Sequence, residues 1–269
     1  MNSISQILQK KRQNSKCALI PFVTAGYPSI ELTIETLFML DRRGADVIEL
    51  GIPYSDALAD GPLIQNASQL ALDNGVYIDE VLDVISKIES RIDSPIVVFT
   101  YYNPILVYGL SRFVRSISQS GAKGLIIPDL PVEETDYVIY LCNQYKLELI
   151  LFISPTSSKD RIHNIISKAP GCLYLVSSTG VTGIKDSINS QINFLSSNIN
   201  FKTDKLVMLG FGISSPIQVS NILKSKLNID GIVVGSAFTK ILSNYSNCNS
   251  SKIIEELGDL CEKIKLAMV

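Results

Sequence analysis

Glu49 stands inside an otherwise apolar run, Ala45-Asp46-Val47-Ile48-Glu49-Leu50. A carboxylate there is costly to bury unless it is hydrogen-bonded, protonated or turned toward a cavity. It is therefore either a satisfied structural glutamate or a general acid/base. The loop that follows, residues 51–62, adds Asp56 and Asp60 among Gly51, Pro53, Gly61 and Pro62. Loop carboxylates are commonly solvated turn residues, which is the plain reading of Asp56. Asp60 lies just before a helix expected to begin near Leu63, so N-capping is its ordinary role. The chemical reading instead pairs Asp60 with Glu49 across a site.

A second constellation suits phosphate. GFGIS (210–214) and GIVVGSAFTK (231–240) each end a strand-like run in glycine. Glycines let backbone N–H groups approach a dianion, and a helix starting at Gly235-Ser236 adds the favourable end of its dipole. Either cluster alone reads as a turn; both together point to a small phosphate ester as substrate. Tyr174, inside the run CLYLVS (172–177), either presents its hydroxyl to the site or fills the core. The glycine-punctuated segment SSTGVTGIKDS (177–187) has no helical stripe and suits a lid.

The residues that are missing narrow the chemistry. No lysine sits at the carboxyl end of an apolar run: Lys123 and Lys205 lie at the opposite ends of their runs, and Lys185 lies in the lid segment. That disfavours a Schiff base. There is one histidine, His163, in the helical stretch 159–169, where it reads as a surface or packing residue. The five cysteines, Cys17, Cys142, Cys172, Cys248 and Cys261, include no CxxC pair. No metal site is expected, and free thiols in a reducing compartment are. What remains is carboxylate acid–base chemistry with tyrosine or threonine hydrogen bonds, suited to a substrate that carries its own electron sink.

Eight short apolar runs must position these groups: residues 17–23, 45–50, 95–100, 124–129, 147–153, 172–177, 205–210 and 231–235. Nearly continuous apolar runs suit strands buried on both faces of a parallel sheet. Amphipathic stretches at 30–43, 132–145, 159–169 and 216–225 lie between them, the first ending in Arg42-Arg43-Gly44 and the last opening with Ser214-Ser215-Pro216. The pattern predicts an α/β protein, a (β/α)8 TIM barrel with an extra N-terminal helix in residues 1–16. One such domain takes up residues 1–269. A Rossmann-like sheet is the alternative, but no GxGxxG follows the first run. In a barrel the active site lies at the carboxyl ends of the strands, with phosphate after strands 7 and 8.

Composition closes other classes. The 269 residues are 46% hydrophobic and 19% charged, with 24 Lys plus Arg against 26 Asp plus Glu, a formal net charge of -2. There is no basic surplus to neutralise nucleic-acid phosphates. The apolar runs fall short of the roughly 18 residues a bilayer span needs. The N-terminal stretch lacks the apolar core of a signal peptide.

In order along the chain, PFVTAGYPS, ADVIELGIPYSDALADGPLIQNAS, YYNP, PDLPVEE, SSTGVTG, GFGIS and GSA resemble the tryptophan synthase alpha chain family over essentially the whole length. The resemblance implies cleavage of indole-3-glycerol phosphate to indole and glyceraldehyde 3-phosphate. It makes Glu49 the acid/base that protonates indole C3 and helps remove the substrate hydroxyl proton. It makes Asp60 the group that stabilises positive charge at the indole nitrogen, and Tyr174 an active-site tyrosine. It assigns Gly183, Gly212, Gly235 and Ser236 to a phosphate cradle, and Phe22, Ile64, Thr182 and Phe211 to the pocket lining. No cofactor is then expected in this chain, because pyridoxal phosphate belongs to a beta-chain partner in an alpha2beta2 heterotetramer. Plastid stroma or bacterial cytoplasm are the expected locations. The family usually reads SDPxADGP where this chain has Ala57 in place of the proline. Other readings are a catalytically weak binding or activating subunit, a phosphate-binding barrel isomerase, and the indole-glycerol-phosphate synthase, which would use a strand-end lysine. Two segments past strands 3 and 4, Tyr101-Tyr102-Asn103-Pro104 and Pro128-Asp129-Leu130-Pro131, would either meet a partner or close the barrel mouth.

Overall fold

Each of the eight apolar runs forms a strand: β1 Ala18–Thr24, β2 Ile48–Gly51, β3 Ile96–Phe99, β4 Gly124–Ile126, β5 Glu148–Ile153, β6 Cys172–Val176, β7 Leu206–Gly210 and β8 Gly231–Val234. All pair in parallel with their sequence neighbours, and β8 returns to β1 through Ala18↔Gly231, closing the barrel. The computed structural model describes residues 3–154, 156–176, 203–210, 212–225, 228–245 and 249–268.

The runs are continuous rather than alternating because both strand faces are buried, each against a different layer. On β1, Ala18, Ile20 and Phe22 point into the barrel with Val97 and Phe99 of β3, Ile150 of β5, Tyr174 of β6 and Met208 of β7. The intervening residues, such as Leu19 and Val23 of β1 and Val98 of β3, face outward and pack under the helices. The inner layer fills the barrel with side chains, so only its ends offer room for a ligand.

Helices join the strands over the outer layer. They are α1 Ser3–Gln13, α2 Ile30–Arg42, α3 Pro62–Asp73, α4 Ile78–Ile88, α5 Tyr102–Tyr108, α6 Leu110–Gln119, α7 Thr135–Gln144, α8 Lys159–Lys168, α9 Pro216–Leu223, α10 Ser236–Leu242 and α11 Ser250–Leu266. Local signals set their ends. The Ser29 hydroxyl caps α2 by accepting from the Leu32 N–H at 3.2 Å. Ser215 and Gln218 form a capping box at the start of α9, with Pro216 in its first turn. The stretch expected to be helical from residue 132 becomes so only at Thr135, because the Glu134 N–H turns back to the Pro131 carbonyl.

Helix α1 decides which end of the barrel is open. Ile4 and Leu8 are fully buried against the inner layer, worth roughly 1.5–3 kcal/mol each. The Ser5 N–H donates to Glu148 Oε2 at 3.1 Å, and its hydroxyl donates to Oε1. Arg12 forks onto Asp230 through Nε and Nη2 at 2.7 and 2.6 Å. Glu148 and Asp230 sit at the amino-terminal ends of β5 and β8. The helix therefore plugs that end and leaves the carboxyl ends free.

Candidate active site

The carboxyl ends of the strands gather the polar residues expected there. Glu49 projects from β2 with 1% of its surface exposed, and among the described residues neither carboxyl oxygen has a hydrogen-bond partner. That favours the acid/base reading over the satisfied structural glutamate. Its neighbours are apolar: Phe22 and Val97 stand opposite it on β1 and β3. Burial, and secondarily the nearby Asp60, pushes its pKa up to about 8, so it carries a proton at neutral pH.

Asp60 is also buried, 5% exposed, although it belongs to the loop between β2 and α3. It does not cap α3. The N-cap is Gly61, without a side-chain bond, and Pro62 opens the helix. The Asp60 carboxylate instead accepts a hydrogen bond from the Tyr101 hydroxyl at 2.8 Å. Burial raises its pKa to about 6 while that bond pulls it down, so it is ionised at neutral pH beside a protonated Glu49. Two carboxyl groups with separated protonation states are the arrangement an acid–base pair requires. Asp56, by contrast, is exposed and accepts from the Ser55 hydroxyl.

Tyr174 points inward from β6 and is 3% exposed. Its ring stacks on Phe152 of β5 at 4.4 Å. Burial first, then Glu49 and Asp60, hold its hydroxyl well above the ordinary tyrosine pKa, so it is a neutral donor. The hydroxyl overlies the last residue of β7: a Cβ built on Gly210 would fall onto it. Phe22 lines the same interior, and Ile64 in the first turn of α3 packs against it.

The proposed phosphate end is partly described. Gly235 closes β8 half-buried against the Phe22 ring, where a Cβ would come within 3.1 Å. Ser236 is the first residue of α10, half-buried. Gly212 is exposed with φ +76°, a conformation that favours glycine. Thr182, Gly183 and Phe211, and the lid segment 177–187 with Lys185, lie outside the described residues.

The sequence reading missed Tyr101, Phe99 and Phe152. Tyr101 had been grouped with residues that either meet a partner or close the mouth; at 3% exposure it closes the mouth. The signal was alternation: Val97, Phe99 and Tyr101 are successive inward positions, which places Tyr101 one step beyond the strand on its interior face. Phe99 meets Phe22, Tyr101 and Phe152 edge-on, with centroids 5.5, 6.0 and 6.5 Å apart. The mouth is thus walled by aromatic rings, suited to a flat apolar substrate group.

Lys123 and Lys205 precede β4 and β7, and His163 is exposed on α8. Cys17, Cys142, Cys172 and Cys261 are free and buried; Cys248 lies outside the described residues. No described helix is long and apolar enough to cross a membrane.

Comparison with known proteins gives one answer. A family model described as "Tryptophan synthase alpha chain" matches residues 8–268. A tryptophan synthase alpha chain of Gracilaria tenuistipitata var. liui is 56% identical over 268 residues, covering 100% of this chain and 97% of the relative. One from Synechocystis is 43% identical over 268 residues, with 100% of both chains covered. Among solved structures, tryptophan synthase subunit alpha from Legionella pneumophila superposes with a TM-score of 0.84 at 33% identity, covering 100% of this chain and 98% of that one.

Proposed function

The chain belongs to the tryptophan synthase alpha chain family, whose reaction is the cleavage of indole-3-glycerol phosphate to indole and glyceraldehyde 3-phosphate; from that premise we propose that Glu49 and Asp60 divide the acid–base work of this lyase, with Tyr174 as a hydrogen-bond donor. The observation that carries the assignment is a buried Glu49, unpartnered among the described residues, near a buried Asp60 that accepts a hydrogen bond from Tyr101, with burial raising both pKa values.

Glu49 begins as the acid and gives its proton to C3 of the indole ring. Positive charge then develops on the ring nitrogen, and the Asp60 carboxylate stabilises it. The Glu49 carboxylate, now a base in an apolar pocket, takes the proton of the side-chain hydroxyl next to the scissile bond. The C–C bond breaks, its electron pair returns to the ring to neutralise the nitrogen, and the hydroxyl carbon becomes the aldehyde. Glu49 ends protonated, so no net proton is consumed. No lysine or metal enters these steps.

The phosphate is assigned to Gly183, Gly212, Gly235 and Ser236, held by backbone amides. Phe22, Ile64, Thr182 and Phe211 are assigned to the lining. Residues 1–269 act as a single TIM-barrel domain. The partner is the tryptophan synthase beta chain in an alpha2beta2 heterotetramer, and pyridoxal phosphate resides in that chain. Support for docking comes from apolar residues exposed in the segments that follow β2 and β3: Leu58 at 88%, and Leu106 at 51% and Val107 at 82% on α5. Relatives in Gracilaria and Synechocystis support plastid stroma or bacterial cytoplasm as the location.

The test is direct measurement of indole release from indole-3-glycerol phosphate by the purified chain, alone and with a beta chain. Turnover by the isolated chain that rises when the beta chain is added supports the reading. Substrate binding and beta-chain activation without any cleavage would identify a binding subunit instead.

A further inference from the structure

Asp60 has a chemical task but a poor foundation, since it sits in a loop rather than on a strand. The loop is held from within by the Asp60 N–H bonding to the Ala57 carbonyl at 3.0 Å, and by Gln65 Nε2 donating to that carbonyl at 3.0 Å. Neither bond touches the carboxylate. Tyr101 does. Its hydroxyl donates to Asp60 Oδ2 at 2.8 Å and accepts from the Ala59 N–H at 3.1 Å. One oxygen therefore ties both the side chain and the preceding peptide of the loop to the end of β3.

The phenol is itself rigidly held. Its ring packs edge-on against Phe99 at 6.0 Å and tilted against Tyr54 at 5.3 Å. Among the described residues, the hydrogen bond to the Asp60 carboxylate is the one from Tyr101, to Oδ2. We propose that Tyr101 is a positioning residue of the lyase: by locking Oδ2 and the Ala59 peptide, it leaves Oδ1 aimed at the N–H of the substrate's aromatic ring. The physical advantage is preorganisation, because a carboxylate already fixed does not reorient as the ring becomes cationic.

This inference rests on the assignment of Asp60 to the ring nitrogen, and the experiment separates the two. Tyr101→Phe, Asp60→Asn and the double variant are compared with the unaltered full chain in the indole-release assay from pH 5 to 9. Tyr101→Phe retains the ring and loses only the hydroxyl. It is expected to lower kcat about 10- to 100-fold with a smaller change in KM. Because the lost bond favours the ionised form of Asp60, the acid limb of its kcat/KM profile moves to higher pH. In the Asp60→Asn background the same substitution is expected to change kcat less than about twofold, as coupled residues are non-additive. Undiminished kcat with an unmoved acid limb in Tyr101→Phe overturns the proposal. An equal loss in the Asp60→Asn background also overturns it, since Tyr101 would then act elsewhere. Wild-type turnover by Asp60→Asn alone overturns instead the assignment of Asp60.

Discussion

Glu49 of β2 stands opposite Phe22 of β1 in the strand register, buried, with no hydrogen-bond partner for either carboxyl oxygen among the described residues. Burial, and secondarily Asp60, raises its pKa to about 8, and that shift dictates how the reaction responds to pH. Cleavage needs Glu49 protonated and Asp60 ionised. Raising pH through about 8 removes the first condition, and lowering it through about 6 removes the second. The expected kcat/KM profile is a bell with its plateau between these values. A profile flat from pH 5 to 9 would contradict the division of roles.

Replacing Glu49 by Gln keeps the shape and removes the proton. Indole release should fall by about 10²–10⁴-fold or more. Stability should move the other way. The folded pKa lies above the ordinary value of 4.5, so the Glu49 contribution to wild-type stability is fully present below about 4.5 and is lost as pH rises toward 8. The glutamine variant lacks that decline. Its advantage over wild type should grow between pH 4.5 and 8 by roughly 1–3 kcal/mol, read from denaturant unfolding at several pH values. A difference independent of pH would show that Glu49 is not a buried acid with a raised pKa.

Gly210 leaves room for Tyr174. A Cβ at that position would overlap the tyrosine hydroxyl and ring edge, so Gly210→Ala must displace either the side chain or the end of β7. Overpacking of this kind destabilises by about 1–3 kcal/mol, and kcat/KM should drop at least about tenfold because the tyrosine moves. Thermal melts and steady-state kinetics on the same preparation check both. Unchanged values in each would mean that the hydroxyl does not occupy this space.

Ser236 opens α10 beside Gly235. Ser236→Asp places a carboxylate where substrate phosphate is expected, and like charges at close range should raise KM at least about tenfold. Added salt should shrink the effect by screening. A KM that stays at the wild-type value would remove Ser236 from the phosphate cradle.

Much of this was legible in the order of residues. A strand buried on both faces must be apolar at nearly every position, and eight such runs separated by amphipathic stretches admit few architectures. The same rule exposed Glu49, because a lone carboxylate in such a run has to be explained. Glycine clusters at the ends of β7 and β8 were visible for a similar reason: backbone approach leaves a compositional trace.

Tertiary structure decided what depends on which residues meet. Asp60 read equally well as a helix cap, and only the fold brought the Tyr101 hydroxyl to its carboxylate across 41 positions of sequence. The isolated string also could not say that Glu49 lacks a partner, since that depends on Phe22 and Val97 arriving beside it from other strands. Residue type sets which chemistry a side chain can perform. Desolvation and hydrogen bonding set the protonation state in which it works, and both are sums over neighbours that the chain acquires only by closing into the barrel.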